Sequence, residues 1–202
     1  MELYNEIILI DNISQRKSYI DNIFENIQTT LEQIKYLIDS DLNIDINHAF
    51  INVCKSNDPN LDKIIYLINH DADINHWSGS SLIIAMHRDN QILVKFLLDN
   101  DIVLTDGIFE TAITSNYIDI IKRMIDIGFK INKNHIDCAV RCERHDILQI
   151  FIDDGVSSND ICESYLKNII ASKCYLTNKM LLVLSKNHTD FNYVINKLNK
   201  IT

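Results

Sequence analysis

The chain has 202 residues, and 19 basic against 28 acidic side chains give it a formal net charge of −9. Apolar residues make up 47% and charged residues 23%, so the chain can bury a core and lies outside the highly charged, poorly apolar class that stays disordered. Four Gly and one Pro are too few for glycine-rich phosphate loops or most tight-turn β folds, and the acidic balance disfavours binding to a phosphate backbone. A helical protein that does not bind nucleic acid is expected.

Five cysteines, at 54, 138, 142, 162 and 174, are an odd count without the density of a disulfide scaffold. The opening MELYNEIILI lacks a basic region ahead of an apolar core, so an intracellular, non-secreted protein is expected. No apolar run reaches the roughly 20 residues that span a bilayer, and no membrane role is expected. The excess of Ile and Asn, both with AT-rich codons, is read as genome bias.

Taken in chain order, the strongest signal is a repeat. LEQIKYLIDSDLNID (31–45), LDKIIYLINHDADIN (61–75) and QILVKFLLDNDIVLT (91–105) align without gaps, and IDIIKRMIDIGFKIN (118–132) and HDILQIFIDDGVSSN (145–159) follow at a shorter spacing. Each places apolar residues at i, i+3, i+4 and i+7, one face of a helix. Each ends on a residue suited to left-handed backbone: Asp41, Asp71, Asp101, Gly128 and Gly155. Gly takes positive φ at no steric cost, and Asp more readily than most side chains.

A shorter helix precedes each of the last three segments, marked by Ala85, Ala112 and Ala139, small residues where two helices must approach. The unit is helix, turn, helix, loop. One such pair cannot bury both faces, so neighbours must stack. At the N-terminal end, Tyr19, Ile20, Ile23, Phe24 and Ile27 give a first inner helix. Toward the C-terminus, Tyr165, Leu166, Ile169 and Ile170, then Met180 to Leu184, make a degenerate pair, followed by Phe191, Val194, Ile195 and Leu198.

These segments resemble ankyrin repeats. Ser80, Ser81, Leu82 and Ile83 stand where that family has its TPLH tetrapeptide, Ala85 and Met86 where it has paired alanines, Asp89 where it has a glycine, and Leu97 and Leu98 at its paired leucines. The units are shorter than the family's. From Asp71 to Ala85 there are three more steps than from Asp101 to Ala112 or from Gly128 to Ala139, so most of the family's projecting β-hairpin fingers should be stubs.

The expected fold is therefore all-α, an ankyrin-like α-solenoid of about six helix-turn-helix repeats with short or absent β-hairpin fingers. It is expected as a single domain over 1–202: an N-terminal segment and first inner helix to 30, repeats over 31–158, and a degenerate last repeat with a helical cap over 159–202. Shortened repeats rich in Ile and Asn are similar in style to the ankyrin proteins of giant DNA viruses.

HIDCAVRCERH carries His135, Cys138, Cys142 and His145 along one helix, but their ends lie about 15 Å apart, and ligands of one zinc lie within about 4 Å of each other. Buried cysteines are expected, with no metal and no cofactor. DSDLNID at 39–45 resembles the start of a calcium loop, yet Ile44 and Phe50 stand where Gly and Glu are required. No nucleophile elbow, phosphate loop or zinc-protease motif occurs. His70, His76, His87 and His188 are scattered over helix ends and loops. No catalytic residue and no small-molecule substrate are expected.

The resemblance implies a non-enzymatic adaptor or scaffold whose partner is a protein, bound on inner-helix and finger positions. Those positions are His76 and Trp77 in the longest loop, then His87, Arg88, Thr114, Ser115 and Arg141 after each alanine, with Arg144 in the basic stretch 122–145. Trp and Arg are enriched in interface hot spots. The bland alternative is that Trp77 covers its own loop and the charges are solvated. Other readings are a structural, self-associating protein, or a substrate adaptor for host ubiquitin ligation, a role some viral ankyrin proteins perform through a C-terminal segment.

Overall fold

The computed structural model describes residues 2–40, 42–56, 61–172, 178–187, 189–190, 192 and 196. The expectations for Asp41, Cys174, His188, Phe191, Val194, Ile195 and Leu198 lie outside the described residues, as do those for the side chains of Ile169 and Ile170. Among the described residues there are thirteen helices and no strand, as the paucity of Gly and Pro implied. No helix among them is long and apolar enough to cross a membrane. The chain divides into two compact units, Met1–Thr105 and Asp106–Thr202.

The first unit holds α1 (Glu2–Ile8), α2 (Ile13–Glu25), α3 (Leu31–Ile38), α4 (Ile46–Lys55), α5 (Asp62–Asn69), α6 (His76–His87) and α7 (Gln91–Leu98). Inner helix α4 packs on both α2 and α6, outer helix α3 packs on α5, and the turns fold α4 onto α5 and α6 onto α7. Phe24, Ile34, Leu37, Phe50, Leu67, Leu82 and Leu97 are almost wholly buried between them.

The second unit repeats the arrangement with α8 (Asp106–Ser115), α9 (Ile118–Asp126), α10 (Lys133–Arg141), α11 (His145–Asp153), α12 (Ser158–Ser172) and α13 (Asn178–Lys186). Here α10 packs on α8 and α12, while α11 packs on α9 and α13. Its centre is Phe109, stacked on Phe129 and Phe151 with ring centroids 4.9 and 5.9 Å away.

Why the helices stop is visible in the backbone. Asp71, Asp101, Gly128 and Gly155 all have positive φ, at 68°, 54°, 87° and 101°. After three of them the Ala72, Phe129 and Val156 N–H groups reach back to the Leu67, Met124 and Phe151 carbonyls at 2.9–3.0 Å. These are Schellman closures, in which the left-handed residue lets the chain satisfy orphan carbonyls.

The inner helices α6, α8 and α10 close in the same way, the first of them at Asp89, where ankyrin repeats have a glycine. Asp89, Asn116 and Glu143 have φ of 52°, 63° and 53°. The following N–H groups, of Asn90, Tyr117 and Arg144, donate to the Ala85, Ala112 and Ala139 carbonyls at 2.8–2.9 Å. Those three alanines have no exposed surface. One residue therefore accepts the turn's hydrogen bond and also lets the neighbouring helix come close.

Candidate functional site

Asparagine sets the local geometry of the loops. Asn12, Asn90 and Asn132 cap α2, α7 and α10 by accepting N–H groups of the first turn, a role for which Asn ranks with Ser and Asp. Others tie a loop to the first turn of a helix or to the next loop. The Asp73 N–H donates to Asn47 Oδ1 at 2.7 Å, the Val103 N–H to Asn75 Oδ1 at 2.7 Å, and the Asp190 N–H to Asn159 Oδ1 at 2.8 Å.

The start of α6 accommodates the three extra residues of this repeat as one left-handed turn. Trp77, Ser78 and Gly79 follow one another at φ/ψ of 51°/49°, 57°/39° and 78°/29°. For the two that carry a Cβ this costs about 1–2 kcal/mol each. The Ser80 hydroxyl closes the turn by donating to the Trp77 carbonyl at 2.7 Å, and the buried Ser81 hydroxyl donates to the Ile74 carbonyl at 3.2 Å. Both serines stand at the tetrapeptide positions of the resemblance.

The turn does not bury its tryptophan. Trp77 is 58% exposed, with His76 tilted against it at 4.8 Å and the His48 ring edge-on at 5.8 Å between centroids. His87 and Arg88, both exposed, lie at the other end of α6, whose regular part from Ser80 to His87 spans about 12 Å. These four residues of the first unit therefore make two separate surfaces.

In the second unit, Thr114 and Ser115 end α8, and Arg141 ends the adjacent α10. Thr114 and Arg141 are exposed, Ser115 half-buried. Arg144 is committed within the fold: its Nε donates to the Ile113 carbonyl at 3.1 Å and its Nη2 to the Thr114 carbonyl, so the guanidinium caps the C-terminal end of α8, where a cation is favoured.

In the zinc-like stretch, His135 serves the local fold. His135 has no exposed surface and completes a capping box with Asn132, its Nδ1 accepting the Asn132 N–H at 3.2 Å. Desolvation lowers its pKa despite the opposing pull of Asp106. Cys54, Cys138 and Cys162 are buried and Cys142 is half-buried. Burial pushes the Cys54 and Cys138 thiols up, and the Cys162 thiol up to about 11, so they stay protonated and are poor nucleophiles and ligands. No group of three potential metal ligands occurs among the described residues.

A polar network that sequence reasoning missed joins α2 to α4. Asn52, with no exposed surface, stands where later repeats have alanine. Its Nδ2 donates to Asp21 Oδ1 and its Oδ1 accepts from Lys55 Nζ, both at 2.8 Å, and Lys55 also pairs with Glu25 at 3.0 Å. The position relative to the next outer helix was the available signal, but it is offset by the extra residues between α4 and α5.

Grooves run along both units. One of about 640 Å³ lies between residues 130–133 and α12, and Lys130, Lys133, Asp154, Asp160 and Glu163 are among its lining residues. Ser164 bonds Asp137 and Lys167 bonds Glu163 there. A second, of about 390 Å³, is lined by α11 and α13. The third, of about 430 Å³ in the first unit, is lined by Ile13, Ile20, Phe24 and His48.

No known protein-family model matches the chain, and no curated protein or solved structure is significantly similar to it.

Proposed function

We propose that this protein is a non-enzymatic protein-interaction module, an adaptor or scaffold built as an ankyrin-like α-solenoid of about six helix pairs. The observation that carries the reading is the recurrence, within each unit, of inner helix packed on inner helix and outer on outer, with the same left-handed turn closing the α6–α7, α8–α9 and α10–α11 pairs. Such stacking holds loops and helix ends in a fixed row, and a prearranged surface loses less freedom when a partner binds. The repeat pattern and the tetrapeptide-like serines support the ankyrin comparison, and the shortened, Ile- and Asn-rich units support a viral origin with a host or viral partner.

Quantitative affinity purification tests the reading, comparing the wild type with Trp77→Ala and with an Arg88→Ala, Arg141→Ala variant, each checked for folding. Proteins depleted by either variant support it. A co-purified set identical for all three overturns the assignment of these surfaces as partner sites.

A structural, self-associating role draws on a different observation. Ile8, Leu9 and Ile13 are 42, 78 and 81% exposed at the first unit's N-terminal edge, and exposed apolar clusters mark association surfaces. Concentration-dependent mass in light scattering, lost in Leu9→Asp, would favour it.

A further inference from the structure

The left-handed turn holds the indole at the surface, beside a loop that asparagines tie to the first turn of α4 and to the loop after α7. Asn47 bonds the loop before α6, and Asn75 in that loop bonds the next loop at both Val103 and Asp101, the latter through Nδ2 at 3.5 Å. Val103 is 59% exposed and is held by the residue two positions before Trp77. Two exposed apolar side chains, Trp77 and Val103, thus stand on segments joined through Asn75.

The segments that carry Trp77 and Val103, and the one before α4, hold formal charge of one sign. The loop residues 39–45, 70–79 and 99–105 contain no Lys or Arg, and exposed Asp45, Asp73 and Asp101 lie in the three loops. Asp45 caps the helix that carries His48, and Asp73 accepts the Asn75 N–H at 2.8 Å. A cationic group is drawn to such a field, and an indole face is the best aromatic partner for one.

We propose that the Trp77–Val103 face is the docking site for a basic, extended polypeptide segment that stacks an arginine on the Trp77 indole while neighbouring basic residues meet Asp45, Asp73 and Asp101. Arginine fits better than lysine because a planar guanidinium can stack on the ring and pair with a carboxylate at once. This rests on the interaction-module reading and names the chemical class of its partner.

The single tryptophan makes the site its own reporter. The full chain is titrated with nona-arginine, nona-lysine and nona-glutamate peptides, followed by indole fluorescence and by anisotropy of labelled peptide. Nona-arginine should bind saturably with a change in indole emission, more tightly than nona-lysine, and nona-glutamate should not bind. Trp77→Ala should weaken nona-arginine binding by about fivefold or more, and Trp77→Phe by less.

An Asp45→Asn, Asp73→Asn, Asp101→Asn variant should weaken binding and flatten its salt dependence; asparagine preserves the cap at 45. A control with the same charge change elsewhere, Asp119→Asn, Asp126→Asn, Asp146→Asn, should bind like the wild type. Equal weakening by the control, indifference to Trp77→Ala, or no binding up to about 1 mM overturns the proposal. If cellular capture then still depends on Arg88 and Arg141, the interaction-module reading stands without this site; if it depends on neither surface, both fail.

Discussion

His135 Nε2 lies 3.2 Å from Asp106 Oδ1 while the same ring's Nδ1 accepts the Asn132 N–H. The neutral ring thus carries its proton on Nε2 and joins the start of α10 to the start of α8. Protonation would put a second proton on Nδ1, against an N–H that needs an acceptor there.

The pH consequence has a definite sign. The folded pKa is lowered by desolvation, so the unfolded chain binds this proton more readily, and the stabilisation is present above about pH 6.5 and lost as pH falls through the lower folded value. Glutamine does the same work in the box that Thr30 and Gln33 form on α3. His135→Gln should therefore keep the cap and reduce the loss of Tm between about pH 7 and 5. Parallel Tm profiles for variant and wild type would remove His135 from the pH response.

Arg144→Ala strips the α8 carbonyls of Ile113 and Thr114 of a cationic donor. Because the side chain is half-exposed, the expected cost is about 1–2 kcal/mol in urea unfolding, with Arg144→Lys intermediate because it keeps the charge without the fork. A partner-binding role independent of the fold predicts the reverse pattern: stability unchanged and capture lost.

How much of this was legible follows from the kind of signal each feature leaves. The outer-helix terminators could be read because Asp71, Asp101, Gly128 and Gly155 follow apolar stripes at fixed spacing. The inner-helix turns at Asn116 and Glu143 were not: their residue types vary, and only the distance from each alanine marks them. Arg144 read as a surface cation because its acceptors are carbonyls 30 and 31 positions earlier, which no local pattern shows. Trp77 was found as a candidate from its place in the longest loop, but the left-handed turn that exposes it is a property of the backbone.

Backbone strain gives a pair of predictions with opposite signs. Gly128 has φ of 87° and nothing within 4 Å of where a Cβ would stand, so Gly128→Ala should destabilise through conformation alone, by about 1 kcal/mol. Ser78 and Glu143 pay that cost already, and Ser78→Gly or Glu143→Gly should raise stability by about 0.5–1 kcal/mol after glycine's greater unfolded-state freedom is counted. Chemical denaturation reads both, and a stabilising Gly128→Ala would contradict the left-handed closure of α9.

The alanine positions can be tested where they agree and where they differ. Ala112 is wholly buried and its carbonyl accepts the Tyr117 N–H at 2.8 Å, so Ala112→Leu must push α8 from its neighbours or force strained rotamers, at about 1–3 kcal/mol. Asn52 fills the equivalent place in the α4 repeat with a polar side chain that has partners on both sides. Asn52→Ala leaves Asp21 and Lys55 without that partner, but both are partly exposed and Lys55 keeps Glu25, which limits the loss to about 1 kcal/mol. A small cost at 112 together with a large one at 52 would mean that helix approach in this fold is set by the polar network and not by the small residue.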